Sequence, residues 1–354
     1  VEGRLTGSAK GLSLLAAKAD AKRGRLNLAV NGEVKDIVAF SGVNLKVKVS
    51  GRDLAEIGAI IDRKLPATDV FEVQGRLTGS TKALSLQAAQ GSAKRGSLNI
   101  AFSGEVKDLV AFRGFDLQLK GSGKNLAEVG PMIGKKLPAT NEFAIDSRLT
   151  GSTEALSLKN AQATARRGRL HLSLNGGVQN LLTLRGLNLQ SRLTGTDLTE
   201  FGEIIGAQLP ATDQFEVLGR LTGSVETMAL QKASGKAKWG SVSLALNGEI
   251  KSLLDLDGMD LRFQGSGKDL AEIGPITGKK LPATNAFRVQ GRLRGSTKAL
   301  SLLETEGHIR RGGLNLTLNG EIKELLDLEG INVNLKASGK NLSEVGPIIG
   351  DKLK

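Results

Sequence analysis

Apolar and polar residues alternate along most of the chain, in short runs separated by Gly, Asn and Ser. In one run Phe71, Val73 and Leu77 occupy one side of an extended chain, and Glu72 and Arg76 occupy the other. Successive side chains of a β-strand point to opposite faces of its sheet. This pattern therefore predicts strands with one apolar and one polar face.

The same alternation predicts four strands near residues 70–79, 83–93, 97–106 and 110–121. In the second of these strands the apolar positions change parity after Leu86, which predicts a β-bulge. Links such as Ser103-Gly104 are expected to carry turn or bulge chemistry. Strands this close in sequence are expected to pair as antiparallel neighbours.

The strand pattern belongs to a repeat. The sequence KLPATDVFEVQGRLTGS begins at Lys64 and recurs in variant form at Lys136, Gln208 and Lys280, each step being 72 residues without insertion. Self-similarity at a fixed period is typical of repeat architectures. We therefore interpret the chain as one array of five repeats, with the first and last truncated. The predicted repeats are residues 1–68, 69–140, 141–212, 213–284 and 285–354.

Each repeat also predicts one short helix. The segment KGSGKNLAEVG at 120–130 lacks the glycine spacing and the Ser or Thr of a phosphate-binding loop. All five repeats instead keep Asp or Asn followed three residues later by Glu, the form of a helix capping box. We expect the first side chain to accept from an early helical N–H and the Glu to reach back to the cap. These pairs are Asp53/Glu56, Asn125/Glu128, Asp197/Glu200, Asp269/Glu272 and Asn341/Glu344.

The predicted fold is mostly β, an elongated array in which each repeat has four antiparallel strands and one short helix. About twenty strands give an apolar face on the order of 2,800 Å², of which five short helices cover about 750 Å². Soluble monomers rarely expose apolar patches above about 300–600 Å². The sheet is therefore expected to curl and enclose either a packed core or a hydrophobic groove.

The apolar face of the second strand carries small residues. They leave room for a groove, or they let the helix approach closely, and the sequence alone leaves both explanations open. The positions are Ala17, Ala19, Ala21, Ala89, Gly91, Ala93, Ala161, Ala163, Ala165, Ala233, Gly235 and Ala237.

Charge and composition narrow the choice of ligand. The net charge of +13 favours anionic partners, but ten Phe, one Trp and no Tyr give little aromatic surface for stacking bases, so nucleic acid is not expected. A basic pair recurs between the second and third strands, either as lipid-headgroup contacts along a groove or as solvated turn residues. The candidates for headgroup contact are Lys94, Arg95, Arg166, Arg167, Arg310 and Arg311.

No catalytic or metal-binding pattern is present in the sequence. His171 and His308 fall at different places in their repeats, without a recurring catalytic partner, and cysteine is absent. We therefore expect no enzyme activity, no cofactor and no metal.

The repeat resembles that of the AsmA-like proteins of Gram-negative bacteria. The resemblance rests on the G-x-D-L or G-K-N-L helix start, the LP break, F-x-V-x-G-R-L-x-G and the G-x-L-x-L-x-L-x-G strand. It implies a long curled sheet with a hydrophobic groove, called a β-taco. It also implies a periplasmic protein, anchored to the inner membrane by a segment absent from this chain, that moves phospholipid toward the outer membrane.

The predicted function is a lipid-transfer conduit whose groove holds acyl chains between the inner and outer membranes. The alternatives are a structural or adhesive scaffold with a closed core and no ligand, and a cationic scaffold for polyanions. The predicted groove-lining residues are Phe71, Val73, Leu98, Ile100, Phe102, Phe115, Leu117, Leu119, Phe143, Ile145, Leu170, Leu172, Leu174, Leu187, Leu189, Phe215, Val217, Leu244, Leu246, Leu261, Phe263, Phe287, Val289, Leu314 and Leu316.

Overall fold

The protein is predominantly β, as predicted, with strands that pair antiparallel and few, short helices. The computed structural model describes residues 1–8, 11–60, 62, 65–134, 136–206, 209–274, 280–325, 327 and 329–340. The strands recur with the 72-residue period of the sequence: the first strands of successive repeats begin at Val70, Glu142 and Gln214.

The chain divides into two compact units. The first contains Val1–Arg167 and Asn175–Arg185, and the second contains Gly168–Leu174 and Gly186–Lys354. The five repeat boundaries drawn from the sequence stay a prediction.

In the first compact unit each strand from β1 to β10 pairs with the next along the chain. These strands are β1 (Glu2–Ser8), β2 (Gly11–Arg23), β3 (Leu26–Asp36), β4 (Ser41–Gly51), β5 (Val70–Ser80), β6 (Ala83–Arg95), β7 (Leu98–Asp108), β8 (Arg113–Gly123), β9 (Glu142–Ser152) and β10 (Ala155–Arg167).

Strand β11 (Leu170–Asn180) contributes residues to both compact units. In the second unit each strand from β13 to β20 pairs with the next. The remaining strands are β12 (Arg185–Gly195), β13 (Gln214–Ser224), β14 (Ala229–Trp239), β15 (Val242–Ser252), β16 (Asp257–Gly267), β17 (Ala286–Gly295), β18 (Leu300–Arg311), β19 (Leu314–Glu324) and β20 (Glu329–Ser338).

The predicted bulge in the second strand of the repeat is confirmed. The pairing of β6 with β7 shifts register between Leu86 and Ala89, and Ala88 has a φ of 47°. The equivalent residues Ala16, Asn160, Lys232 and Glu304 also have positive φ. A bulge inserts one residue and reverses the side-chain parity beyond it, which explains why the apolar positions change parity in every copy.

The prediction for the Ser103-Gly104 segment is wrong in one part: the segment does not link two strands, although Gly104 pairs with Ala89 beside the bulge. The segment was expected to be a link, but Gly104 lies inside β7, where the register with β8 runs unbroken from Ser103 to Glu105. Its φ is 146°, and a Cβ there would overlap the carbonyl oxygen of Asp116 on the next strand. Glycine is needed at this position because the two backbones approach too closely for a side chain.

The described helical segments follow the fourth strands, as predicted. They are α1 (Leu54–Ile60), a 3₁₀ turn (Leu126–Val129) that continues into α2 (Gly130–Ile133), α3 (Leu198–Ile205) and a 3₁₀ turn (Leu270–Ile273). The helix predicted after Asn341 lies outside the described residues.

The predicted side-chain cap is confirmed. Asn125 Oδ1 accepts from Ala127 N at 3.0 Å, and Asp197 and Asp269 make the same bond to residues 199 and 271. This bond satisfies a backbone N–H that has no partner within the helix. The glycines and the cap residue of the segment therefore build a helix start.

The predicted role of the capping-box Glu is wrong in three repeats, where its carboxylate accepts from the turn between the second and third strands, as Glu128 does from Ser97 Oγ at 3.3 Å. Glu272 accepts from Ser241 N and Oγ, both at 2.7 Å, and Glu200 accepts from Arg169 N at 3.1 Å. The turn between the second and third strands lies beside the helix start and offers these donors. The Glu therefore joins the helix to the sheet instead of closing on its own cap.

The Thr of the LPAT motif also hydrogen-bonds to the backbone at the helix start. Thr140 Oγ1 accepts from Leu126 N at 2.8 Å and donates to Lys124 O at 3.0 Å. The residue that follows the LPAT motif hydrogen-bonds to the turn between the second and third strands: Asp69 Oδ2 accepts from Gly96 N at 2.6 Å. These hydrogen bonds explain why the motif recurs at a fixed distance from the helix.

Candidate functional site

The apolar face of the sheet is buried at the end nearest the helices. In the first compact unit Phe71 and Leu98 are only 2% and 3% exposed. A Cβ at Gly51 would lie 2.8 Å from Leu26 Cδ2 and 2.9 Å from Phe71 Cε1. Large side chains thus pack over glycines at the ends of the fourth strands, and we call this group the helix-end cluster.

The opposite end of the same face is also buried. Leu86, Ala89, Val106 and Leu117 form a cluster with exposures between 0% and 8%. We call it the turn-end cluster. Several half-buried residues pack against it, namely Val47, Leu77, Phe102, Leu109, Phe115 and Leu149.

Between the two clusters lies a band of apolar side chains that are only half-buried. In the first compact unit it contains Val73, Ile100, Leu119 and Ile145. The strand register places Ile100 opposite Gly121, which in turn faces Ile145. In the second unit the equivalent half-buried residues are Val217, Leu244, Phe263 and Val289, and Leu246 lies beside Phe263. These two sets, one in each compact unit, are called the apolar band.

The predicted groove-lining residues therefore separate into two groups. One group is buried and packs as core: Phe71, Leu98, Leu117, Phe143, Leu170, Leu187, Leu189, Phe215, Leu261, Phe287, Leu314 and Leu316. The other is half-buried and accessible in part to a ligand: Val73, Ile100, Phe102, Phe115, Leu119, Ile145, Leu172, Leu174, Val217, Leu244, Leu246, Phe263 and Val289.

Several residues on this face were absent from the predicted set. Val30 and Val47 of the first repeat and Leu318 of the last are half-buried at equivalent positions. Superposing the truncated end repeats on the complete ones by the 72-residue period would have found them, because each shares its strand position with a predicted residue.

Two glycines on the apolar face of the second strand lie beneath a large side chain of the third strand. A Cβ at Gly91 would overlap the ring of Phe102, its register partner on β7. At Gly307 a Cβ would lie 2.8 Å from Leu318 Cγ. At these two positions the space above the second strand is filled by a large side chain of the third strand.

The recurring basic pairs are divided between the two faces. Successive strand residues alternate, so Lys94 lies on the polar face and Arg95 on the apolar face at its helix end. Trp239 is equivalent to Arg95 two repeats later, and its Nε1 donates to the carbonyl oxygen of Glu272 on the helical turn at 3.3 Å. Arg166 lies 3.7 Å from Glu142. The first members of the pairs are therefore placed away from the apolar band.

The polar face is crossed by ion pairs. Arg148 makes two hydrogen bonds of 2.5 Å to Asp116, and Arg292 makes two of 2.6 Å to Asp260. The hydrogen bond from Arg148 lowers the pKa of Asp116, while desolvation opposes this shift. The pKa of Asp260 is lowered in the same way by Arg292. This face is suited to water, in contrast to the apolar band.

Within the part of the chain that the structure describes, no helix is long and apolar enough to cross a membrane. The same residues contain no group of three His, Cys, Asp or Glu side chains arranged to hold a metal ion.

Comparison with known proteins finds a relative for part of the chain. Over 172 residues it is 27% identical to the AsmA family protein YhjG of Escherichia coli strain K12. The match covers 47% of this chain and 22% of that relative, so it corresponds to about a fifth of the relative's length. No protein-family model and no solved structure matches the chain.

Proposed function

We propose that this chain, AsmA-like in its repeat and in its match to YhjG, is part of a lipid-transfer conduit. In this proposal the acyl chains of a phospholipid lie along the apolar band while the headgroup stays in water. The protein acts in the periplasm, between the inner and the outer membrane. The observation that supports it most is the apolar band, which is neither packed as core nor covered by polar side chains.

The energetic case for such a band is simple. Two acyl chains contain about thirty CH₂ groups, and exposing them to water costs roughly 25 kcal/mol at about 0.8 kcal/mol each. A protein surface that shelters the chains removes most of this barrier without a chemical step. The requirement is apolar area that a ligand can reach, which the half-buried side chains supply and the two buried clusters do not.

The test is the lipid content of the purified chain, measured by native mass spectrometry and by solvent extraction. Ile100 lies on the apolar band, and its neighbour Ala101 is exposed on the polar face opposite Lys120. We expect the wild type to carry phospholipid, Ile100→Asp to lose it, and Ala101→Asp to keep it. A wild type free of lipid, or an Ile100→Asp protein that retains it, contradicts the proposal.

A scaffold without a ligand is the second candidate, because twelve of the predicted lining residues are buried as core. A scaffold of this kind binds no lipid in either assay. It also predicts that Ile100→Asp and Ala101→Asp differ only in stability.

A further inference from the structure

A depression of about 860 Å³ lies on the polar face of the second compact unit, across strands β12 to β17. This volume is within the range of about 300–1,000 Å³ that small-molecule sites usually have. Its rim carries four cationic side chains and one carboxylate, namely Arg192, Lys236, Lys238, Arg288 and Glu216.

The floor of the depression is made of small residues. Ser243 and Ser266 face each other across β15 and β16, and Ala245 lies beside them. At the position of Ser243 the other repeats have larger side chains: Asn27, Asn99, His171 and Asn315. A single small residue in this repeat therefore opens a floor that the equivalent side chains would narrow.

Three of the cations around this floor make no ion pair, although Glu216 faces Lys236 in the strand register. Among the described residues, Lys236, Lys238 and Arg288 have no ion-pair partner within 4 Å, whereas Arg192 is held by Glu216 at 2.8 Å. The register runs Lys238, Ser243, Ser266, Arg288 across four adjacent strands. At about 4.8 Å per strand, Lys238 and Arg288 stand on the two sides of the serines, about 14 Å apart across the sheet.

Two of these three cations, Lys236 and Arg288, depart from the pattern of the repeat, whereas Lys238 belongs to the recurring basic pair. At the position of Arg288 the other complete copies have Glu72, Ala144 and Glu216, and at the position of Lys236 the other repeats have Asp20, Ser92, Thr164 and His308. Uncharged or acidic residues at these two positions are compatible with the fold, because other repeats of the same fold contain them there. Like charges placed together without a structural requirement repel one another, and an anion between them relieves this repulsion.

Depressions on the polar face of the first compact unit provide a comparison. One of about 350 Å³ is lined by a single cation, Lys120, and a single carboxylate, Glu72. Another of about 530 Å³ contains Lys48, which lies 3.0 Å from Glu72, and Arg76, whose Nε donates to Asn44. Its charges are partly engaged within the protein, unlike the three in the second unit.

We propose that the depression in the second compact unit binds a phosphate group. A guanidinium and two ammonium groups match its charge, and the hydroxyls of Ser243 and Ser266 can donate from the floor. Gln264 and Gln290 on the rim can hydrogen-bond to neighbouring hydroxyl groups of the same molecule. The charged side chains of the site lie on the face opposite the apolar band, so phosphate binding there does not depend on the proposed acyl-chain path.

The test uses the complete chain, titrated calorimetrically with pyrophosphate in 0.15 M salt, where distant exposed charges are screened. We expect saturable binding at one site. The double variant Lys236→Thr and Arg288→Ala installs residues found at the equivalent positions 164 and 144, so it should fold. Loss of two charge-assisted hydrogen bonds should weaken binding at least about tenfold.

The control is a variant with the same loss of charge at strand turns, Lys82→Ala and Lys298→Ala, which should bind as the wild type does. A parallel titration with dihexanoylphosphatidic acid, kept monomeric, identifies the source of the phosphate. Equal affinity for the two probes supports a free phosphate site, and tighter binding of the lipid supports a headgroup site. Absence of saturable binding of both probes, or equal weakening in the control, overturns the proposal.

Discussion

The division of the apolar face into core and band can be tested with two aspartates placed two residues apart. Leu117 and Leu119 lie on the same face of β8. Leu117 is 8% exposed within the turn-end cluster, whereas Leu119 is half-buried on the apolar band. The same substitution therefore places a carboxylate in a packed core in one variant and at an accessible surface in the other.

The two penalties differ enough to be separated. Removing a buried Leu side chain costs about 2–5 kcal/mol, and an unpaired buried charge adds about 3–5 kcal/mol. Together they approach the stability of a typical domain, about 5–15 kcal/mol. At Leu119 water can hydrate the carboxylate, so the cost should be close to that of lost apolar contact alone.

The measurement is thermal melting followed by circular dichroism. A loss of about 5 kcal/mol should lower the melting temperature of a unit of this size by about 10–20 °C. We expect that shift or greater for Leu117→Asp and a clearly smaller one for Leu119→Asp. If both variants melt equally low, the band is part of a closed core; if Leu117→Asp melts like the wild type, the turn-end cluster is not a core.

Three further predictions concern local contacts. Ser147 is fully buried, and its hydroxyl has no hydrogen-bond partner among the described residues, so Ser147→Ala should stabilise by about 1–3 kcal/mol; a lower denaturation midpoint contradicts this. Thr140→Val removes the bonds to Leu126 N and Lys124 O and should cost about 1–3 kcal/mol, measured by the same unfolding. The lowered pKa of Asp116 gives stability that is present above the unfolded pKa and lost as pH falls through the folded one. Asp116→Asn should therefore weaken the pH dependence of melting below about pH 4, and an unchanged acid profile would refute that assignment.

Local sequence patterns predicted the strands, the bulge and the helix caps because each depends on near neighbours. Strand parity needs only the alternation of side chains, and the parity change after Leu86 marks the inserted residue directly. The Asn125 cap is equally local, since its acceptor bonds a backbone N–H two residues away. These features could be derived from one repeat alone.

Features that depend on contacts between strands could not be predicted from the local sequence. The partner of Glu272 lies on a turn 31 residues away, so the local capping-box pattern misassigned it. The filling of space above Gly91 depends on which side chain faces it on the next strand. The split between buried Leu117 and half-buried Leu119 depends on packing between strands, since Leu117 joins the cluster of Leu86, Ala89 and Val106, and identical alternation hides it.

The central claim, that the apolar band holds acyl chains, is tested most directly by photo-crosslinking. Leu246 lies on the band in the second compact unit, and the next residue, Asn247, is exposed on the polar face. Each position in turn receives benzoylphenylalanine, the protein is irradiated with phospholipid vesicles, and attached lipid is measured by mass spectrometry. The account predicts a lipid adduct at 246 and none at 247. No adduct at 246, or equal adducts at both positions, would contradict it.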